Sequence, residues 1–153
     1  MNSTRSKRWA LGVVLLIQAL TLPAFAALGG DLSSIKSDQL QMKGMLRTTV
    51  ASAYTVHEIQ APSGTVVREY VAPTGKVFAV AWRGPQMPDL RQTLGTYFND
   101  FTQAPRPAHP NHAHFEVAEP GFVLQSTGHM RAYFGRAYIP QLLPQNVAVT
   151  DIK

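Results

Sequence analysis

The chain has 153 residues, with 14 lysines and arginines against nine acidic residues, a formal net charge of +5 and no cysteine. The absence of cysteine excludes disulfides, thiolate metal ligands, a cysteine nucleophile and a lipid-modified cysteine. Three of the basic residues lie within the first eight positions, so the rest of the chain carries a net charge of only +2 without any Lys/Arg run. So small a charge gives no reason to predict an acidic membrane surface or nucleic acid as the partner, and we expect no nucleic-acid partner.

The start of the chain has the pattern of a secretory signal peptide. A basic start is followed by an apolar run over 9–22, which is shorter than the roughly 20 residues that a membrane span needs. A small-residue site then predicts cleavage between Ala26 and Ala27. We therefore expect a signal peptide at 1–26 and a single domain at 27–153, exported through the inner membrane to the periplasm or the outside of the cell, with no retained membrane span.

The first part of the predicted domain reads as a weak helix followed by a meander of strands. Residues 31–47 have a loose helical pattern that Gly44 interrupts. From Tyr54 the apolar period changes to two, which predicts strands at 54–60, 65–71 and 76–82. The two connections between these strands are nearly the same turn, with proline second and glycine fourth, as in β-hairpins.

The third predicted strand is apolar on both faces, which is typical of the middle of a covered sheet. Its small residues Ala79 and Ala81 leave room for a helix to approach. A main helix is predicted soon afterwards, with Asp89 as its N-cap and Gln92 as the capping-box partner. Within this helix Gly95 marks either tight packing or a break.

The remaining chain adds a loop and three more strands. Residues 103–111 contain three prolines and predict an exposed loop. Residues 114–118 and 122–126 predict a hairpin, and 129–139 predicts a longer strand. The predicted fold class is therefore α+β: an antiparallel β-meander sheet with one main helix packed on a face and a weaker N-terminal helix.

Arginines in or beside the predicted strands are the leading candidates for a binding surface. Guanidinium groups stacked on aromatic rings recognise carboxylates or sugars. Ordinary ion pairs with glutamates on neighbouring strands are the alternative explanation for the same arginines. The candidate binding residues are Arg68, Trp82, Arg83, Arg131 and Arg136.

A second candidate site is a histidine cluster in the predicted loop. His109, His112 and His114 are candidate metal ligands because imidazole is the commonest metal ligand in proteins. A closed zinc site needs four ligands, and only the fold could bring in others such as His57 or Glu116. We therefore expect no cofactor, and keep a divalent metal bound by the histidine loop as an alternative.

No recognisable catalytic set is present in the sequence, which lacks the Gly-x-Ser-x-Gly elbow of serine hydrolases. Glu58 and Glu69 lie on neighbouring predicted strands and offer a carboxylate pair, although acids on an antiparallel sheet usually form its solvated face. We therefore favour a non-enzymatic binding or assembly module, whose partner is another exported protein or a cell-surface ligand. A small hydrolase with an unrecognised site is the remaining alternative.

Several phrases of the sequence occur together over essentially the whole predicted domain. They are ALGG at 27–30, YTVHEI at 54–59, PSGTVVREY at 62–70, GKVFAVAWRGP at 75–85 and GHMRA at 128–132. Together they resemble a family of short exported proteobacterial proteins known only as a domain of unknown function. The resemblance implies a compartment and a lineage, but it implies no reaction and carries over no catalytic residue.

Overall fold

A computed structural model describes residues 28–105 and 114–153. The predicted signal peptide, its cleavage site between Ala26 and Ala27, and the candidate ligands His109 and His112 lie outside the described residues. Among the described residues, no helix is both long enough and apolar enough to cross a membrane.

The described residues form one seven-stranded antiparallel sheet with helices, which confirms the α+β prediction. The elements in chain order are α1 (Leu32–Met42), β1 (Met45–Val50), β2 (Thr55–Gln60), β3 (Val66–Val71), β4 (Val77–Gly84), α2 (Leu90–Leu94), α3 (Phe98–Gln103), β5 (His114–Glu119), β6 (Phe122–His129) and β7 (Ala132–Tyr138).

Two meanders make up the sheet, whose strand order is β1-β2-β3-β4-β7-β6-β5. They meet where β4 pairs with β7, so the strand that is apolar on both faces lies in the middle. The two predicted hairpin turns are present. In each, the glycine N–H donates to an alanine carbonyl at 2.9 Å, and Gly64 and Gly75 have φ values of 85° and 81° that favour glycine.

The structure differs from the prediction at the first strand. Residues 45–47, predicted as the end of a helix, instead begin β1. The helix α1 ends earlier, at Met42, where Lys43 adopts a left-handed conformation with φ 50°. The β-branched run from Thr48 to Val50 favours a strand, and β2 provides its hydrogen-bonding partner.

The predicted main helix is divided into α2 and α3 at Gly95, whose φ of 53° and ψ of −121° suit glycine. Asp89 caps α2 as predicted, and its Oδ1 accepts from the Arg91 N–H at 2.9 Å. Gln92 is not a capping-box partner, because its side chain donates to Asp38 at 2.6 Å instead. The helix predicted to be the weaker one, α1, is therefore the longest, with 11 residues.

The sheet packs a hydrophobic core on each face. On one face, here called the covered face, the helices pack against side chains that include Val80 and Trp82. On the other, here called the open face, Ala79 and Ala81 cluster with residues of the C-terminal segment 147–153. The expectation that Ala79 and Ala81 receive the helix is therefore wrong, since the helices pack on the opposite side of β4.

Candidate functional site

One row of side chains crosses all seven strands on the open face. Residues paired directly across antiparallel strands point to the same side of a sheet. The row, in strand order, consists of Arg47, Glu58, Arg68, Ala81, Arg136, Gln125 and Glu116. The register therefore brings three arginines from distant parts of the sequence onto one surface.

Hydrogen bonds to neighbouring strands orient two of these arginines. Arg68 Nε donates to Glu58 Oε2 at 2.7 Å. Arg136 Nε donates to Gln125 Oε1 at 2.8 Å. The Arg68–Glu58 pair is about one third exposed (34% and 31%), so solvent screening limits its contribution to stability to well below about 1 kcal/mol. Its main effect is to hold the guanidinium in place.

The C-terminal segment lies across the middle of the open face. Arg136 Nη1 donates to the main-chain carbonyl of Val149 at 2.7 Å and to that of Ile152 at 3.3 Å. The Ile152 side chain is only 1% exposed and packs in the core of this face. Hydrogen bonding and apolar burial therefore hold this segment on the sheet together.

A second set of donors holds the end of the same segment. Arg68 Nη1 and the Tyr70 hydroxyl donate to the Lys153 main-chain oxygen at 2.9 and 2.8 Å. The Lys153 N–H donates in turn to the Tyr70 hydroxyl oxygen at 3.0 Å. Burial raises the pKa of Tyr70, so this hydroxyl keeps its proton and remains a donor at neutral pH. Arginine and tyrosine side chains on this face thus bind polypeptide main chain.

Beside this segment the open face contains a groove of about 850 Å³. That volume is within the range of small-ligand sites, about 300–1,000 Å³. Five Lys/Arg and two Asp/Glu side chains line it, for a formal side-chain charge of +3: Arg47, Arg68, Arg83, Arg136, Lys153, Glu58 and Asp151. The groove therefore favours an anionic ligand.

Aromatic rings supply the apolar part of the groove. Tyr54 and Tyr70 have ring centroids 5.7 Å apart. The Arg83 guanidinium lies 5.2 Å from the centroid of Phe134, which is 40% exposed. Arg83 and Arg47 are both exposed, and the described part of the chain gives neither guanidinium group a hydrogen-bond acceptor. These two guanidinium groups are therefore available to donate to a ligand.

The structure brings together four of the five predicted binding residues: Arg68, Trp82, Arg83 and Arg136 line the groove. Trp82 belongs to its floor, but the residue is only 3% exposed and packs in the core of the covered face, which leaves little of it for a ligand. Arg131 is an exposed residue of the β6–β7 turn, with φ 70°, and does not line the groove.

Arg47 is the groove residue that the sequence analysis missed. Residues 45–47 are predicted as helix, and a helix would not place Arg47 opposite Glu58 on a sheet. The signal that would have revealed it is the β-branched run from Thr48 to Val50, which extends the strand pattern to a fourth segment.

Among the predicted metal ligands, His114 is the one that the described residues include. It is exposed on β5, and its Nε2 lies 3.9 Å from Glu116 Oε2. His57 is on the covered face, so it does not join His114. The described residues contain no group of three His, Asp or Glu side chains placed to hold a metal. With His109 and His112 outside the described residues, metal binding stays a prediction.

A buried carboxyl pair exists, but it is not the pair that the sequence suggested. The register places Glu58 and Glu69 on opposite faces, so that pairing is wrong. Asp38 of α1 lies beside Glu69 instead, so the two buried carboxyl groups interact directly. Gln92 Nε2 also donates to Asp38 Oδ1 at 2.6 Å. Only a tertiary contact with α1 creates this pair.

The pair retains a proton at neutral pH. Burial, together with the nearby Asp38, raises the pKa of Glu69 to about 9, and burial raises the pKa of Asp38 to about 6. Protonated Glu69 can then donate to the Asp38 carboxylate, which allows two acids to pack in contact. Glu69 and Asp38 are 2% and 0% exposed, and neither lines the groove.

Comparison with known proteins gives one match. No curated protein matches the chain, and no solved structure matches it. A family model described as "Protein of unknown function (DUF2844)" matches residues 24–152, which is most of the chain. The chain therefore belongs to the DUF2844 family, whose members are grouped by sequence and not by a known activity.

Proposed function

We propose that this protein is a non-enzymatic binding module of the cell envelope, exported by its N-terminal signal peptide. Its open-face groove binds an extended acidic segment of another exported protein. The observation that supports this most strongly is the groove itself, with a net charge of +3 and two exposed guanidinium groups. Clefts lined by one sign of charge attract ligands of the opposite sign.

A polypeptide is the favoured ligand because the open face already binds one. Arg68, Tyr70 and Arg136 donate to main-chain oxygens of the segment 147–153. The adjoining groove has the same chemistry, since arginine and aromatic side chains line it as well. An extended segment beside 147–153 would meet donors of the kind that hold that segment.

The spacing of the two exposed arginines indicates where the acids of such a ligand lie. Arg47 is on β1 and Arg83 is on β4, three strands away and two residues beyond Ala81, the residue in line with Arg47, which corresponds to about 16 Å between Cα atoms. An extended chain rises about 3.3 Å per residue and alternates its side chains, so acids four residues apart lie on one side about 13 Å from each other, and the long arginine side chains cover the difference. A segment with Glu-Val-Thr-Val-Glu at its centre meets this requirement.

The test is fluorescence anisotropy with a labelled peptide, Gly-Ser-Glu-Val-Thr-Val-Glu-Ser-Gly, and the same peptide with glutamine for glutamate. The acidic peptide should bind more tightly, and the Arg47→Ala, Arg83→Ala double variant should weaken its binding at least about tenfold, equivalent to about 1.4 kcal/mol. Arg68 and Arg136 are left unchanged because they hold the C-terminal segment.

The matched control is the Arg91→Ala, Arg131→Ala double variant. It also removes two positive charges, but neither of these arginines lines the groove. It should leave binding unchanged. Equal binding of the two peptides would contradict the proposal, as would an equal loss in the control variant, which would indicate charge attraction without a site. Binding of an acidic oligosaccharide but not of the peptide would overturn the choice of a polypeptide ligand.

The compartment has its own test. Cells producing the protein are fractionated and the mass of the purified chain is measured. A periplasmic or extracellular chain beginning at Ala27 supports export through the predicted signal peptide. An intact chain retained in the cytoplasm would contradict it.

A further inference from the structure

The strand β1 lies at one edge of the sheet, so one side of its backbone pairs with β2 and the other side faces away from the sheet. The Ala51 N–H donates to the Tyr54 carbonyl at 2.9 Å, so these two residues form a hydrogen-bonded pair of the β1–β2 ladder. Bonded and non-bonded positions alternate along an antiparallel pair. Leu46, Thr48 and Val50 therefore point their N–H and C=O groups outward.

The two edges of the sheet differ in how well they are protected. Charged residues on an edge strand discourage the addition of another strand. The far edge, β5, includes Glu116 and Glu119, whereas β1 has Arg47 as its single charged residue. The terminal residues of β1 are apolar and exposed, with Met45 at 71% and Val50 at 78%. Of the two edges, β1 is the one suited to accept a strand.

A second copy of β1 fits this edge in one favoured register. With a two-fold axis at Thr48, Thr48 pairs with its own counterpart and Leu46 pairs with Val50 of the other copy. The outward N–H and C=O groups of one copy then lie opposite those of the other. Arg47 then lies opposite Thr49 of the other copy. An axis one residue earlier would place Arg47 opposite Arg47, and like charges directly opposed are destabilising. An axis one residue later would shorten the overlap.

We propose that the protein forms a two-fold symmetric dimer through antiparallel pairing of two β1 strands centred on Thr48. About six main-chain hydrogen bonds would join the copies into one continuous sheet. Arg47 and Thr49 line the open-face groove, so the two grooves become neighbours across the axis. The dimer does not depend on the identity of the ligand in the groove.

The first test measures the mass of the protein by light scattering over a roughly hundred-fold range of concentration, because dimerisation follows mass action. The wild type should approach twice the monomer mass at the highest concentration. Thr48→Pro removes an outward N–H without breaking the β2 ladder, and should stay monomeric. Thr48→Val is the matched control: it also loses the Thr48–His57 side-chain hydrogen bond of 3.0 Å, but it should still dimerise.

A second test does not require a proline variant to fold. The chain has no cysteine, so a single Thr48→Cys substitution reports one contact. At the axis the two Cα atoms would be about 5.5 Å apart. That distance suits a disulfide, so mild oxidation should link Thr48→Cys into dimers. Thr49→Cys is the control, because its two Cα atoms would be more than about 7 Å apart, too far for a disulfide.

Three results would overturn the proposal. They are a monomeric wild type at every concentration, equal cross-linking of the two cysteine variants, and assemblies larger than a dimer. The last of these would indicate pairing of β1 with β5 of another copy, which continues from copy to copy without closing.

Discussion

The buried Asp38–Glu69 pair should make the stability of this protein fall as the pH rises above neutrality. The ordinary pKa of Glu69 is 4.5, and burial with the neighbouring Asp38 raises it to about 9 in the fold. Above the folded pKa of Asp38, about 6, and below that of Glu69, the folded state holds one proton more than the unfolded state. Each pH unit in this range therefore lowers the free energy of unfolding by about 1.4 kcal/mol.

The sign of this effect follows from the direction of the pKa shift. The stabilisation is fully present below the unfolded pKa of Glu69 and is lost as the pH rises through the folded pKa. From about pH 7 to about pH 8.5 the loss comes from Glu69 and not from Asp38 or His57. Over this range the free energy of unfolding should fall by about 2 kcal/mol. Asp38, with a pKa of about 6, is mostly ionised above pH 7 in both states. Burial lowers the pKa of His57, so His57 is largely neutral in both.

Urea unfolding at several pH values within this range measures the slope. In Glu69→Gln the side chain can still donate to Asp38, but it has no proton to lose, so the slope should disappear. Glu58→Gln is the matched control, since Glu58 lies on the open face beside Arg68, and it should keep the slope. A wild type with no slope, or a Glu69→Gln variant with an unchanged one, would refute the assignment of the proton to this pair.

Two further predictions concern the sheet and the histidine loop. Gly135→Ala should destabilise the protein by about 1–3 kcal/mol, because a Cβ there would lie 2.2 Å from the Trp82 ring, whereas Gly121→Ala, with nothing within 4 Å, should cost far less. Urea unfolding of both variants checks this, and equal losses would contradict it. If the histidine loop binds zinc, copper or nickel, the metal should raise the melting temperature, and a His112→Ala, His114→Ala double variant should lose that rise. An unchanged melting temperature with all three metals would rule out that binding.

Local sequence signals predicted six of the seven strands but not how the sheet is covered. Proline and glycine set the hairpin turns at 61–64 and 72–75, because both act within four residues. β4 is apolar on both sides, so its own pattern cannot say which side receives the helices. That choice depends on the segment 147–153, which has no apolar period to reveal that it packs over Ala79 and Ala81.

The candidate site was predictable only in part, for a similar reason. Arg68 and Arg136 lie in predicted strands and Arg83 directly follows one, so these arginines could be identified as a group without knowing their neighbours. Arg47 could not, because its strand was predicted as helix. Glu69 could not be recognised as buried, since its burial depends on Asp38 from a different element. Contacts between elements distant in sequence leave no local pattern.

The groove exists because the helices cover one face of the sheet more completely than the segment 147–153 covers the other. The helices cover one face widely enough to bury the carboxyl groups of Asp38 and Glu69. The segment 147–153 covers only the middle of the other, so Phe134 remains 40% exposed beside the exposed Arg83. Exposed aromatic surface is costly to leave in water, and the exposed guanidinium groups beside it favour an amphipathic acidic partner. This incomplete closure is the physical reason for assigning binding to the open face and stability to the covered one.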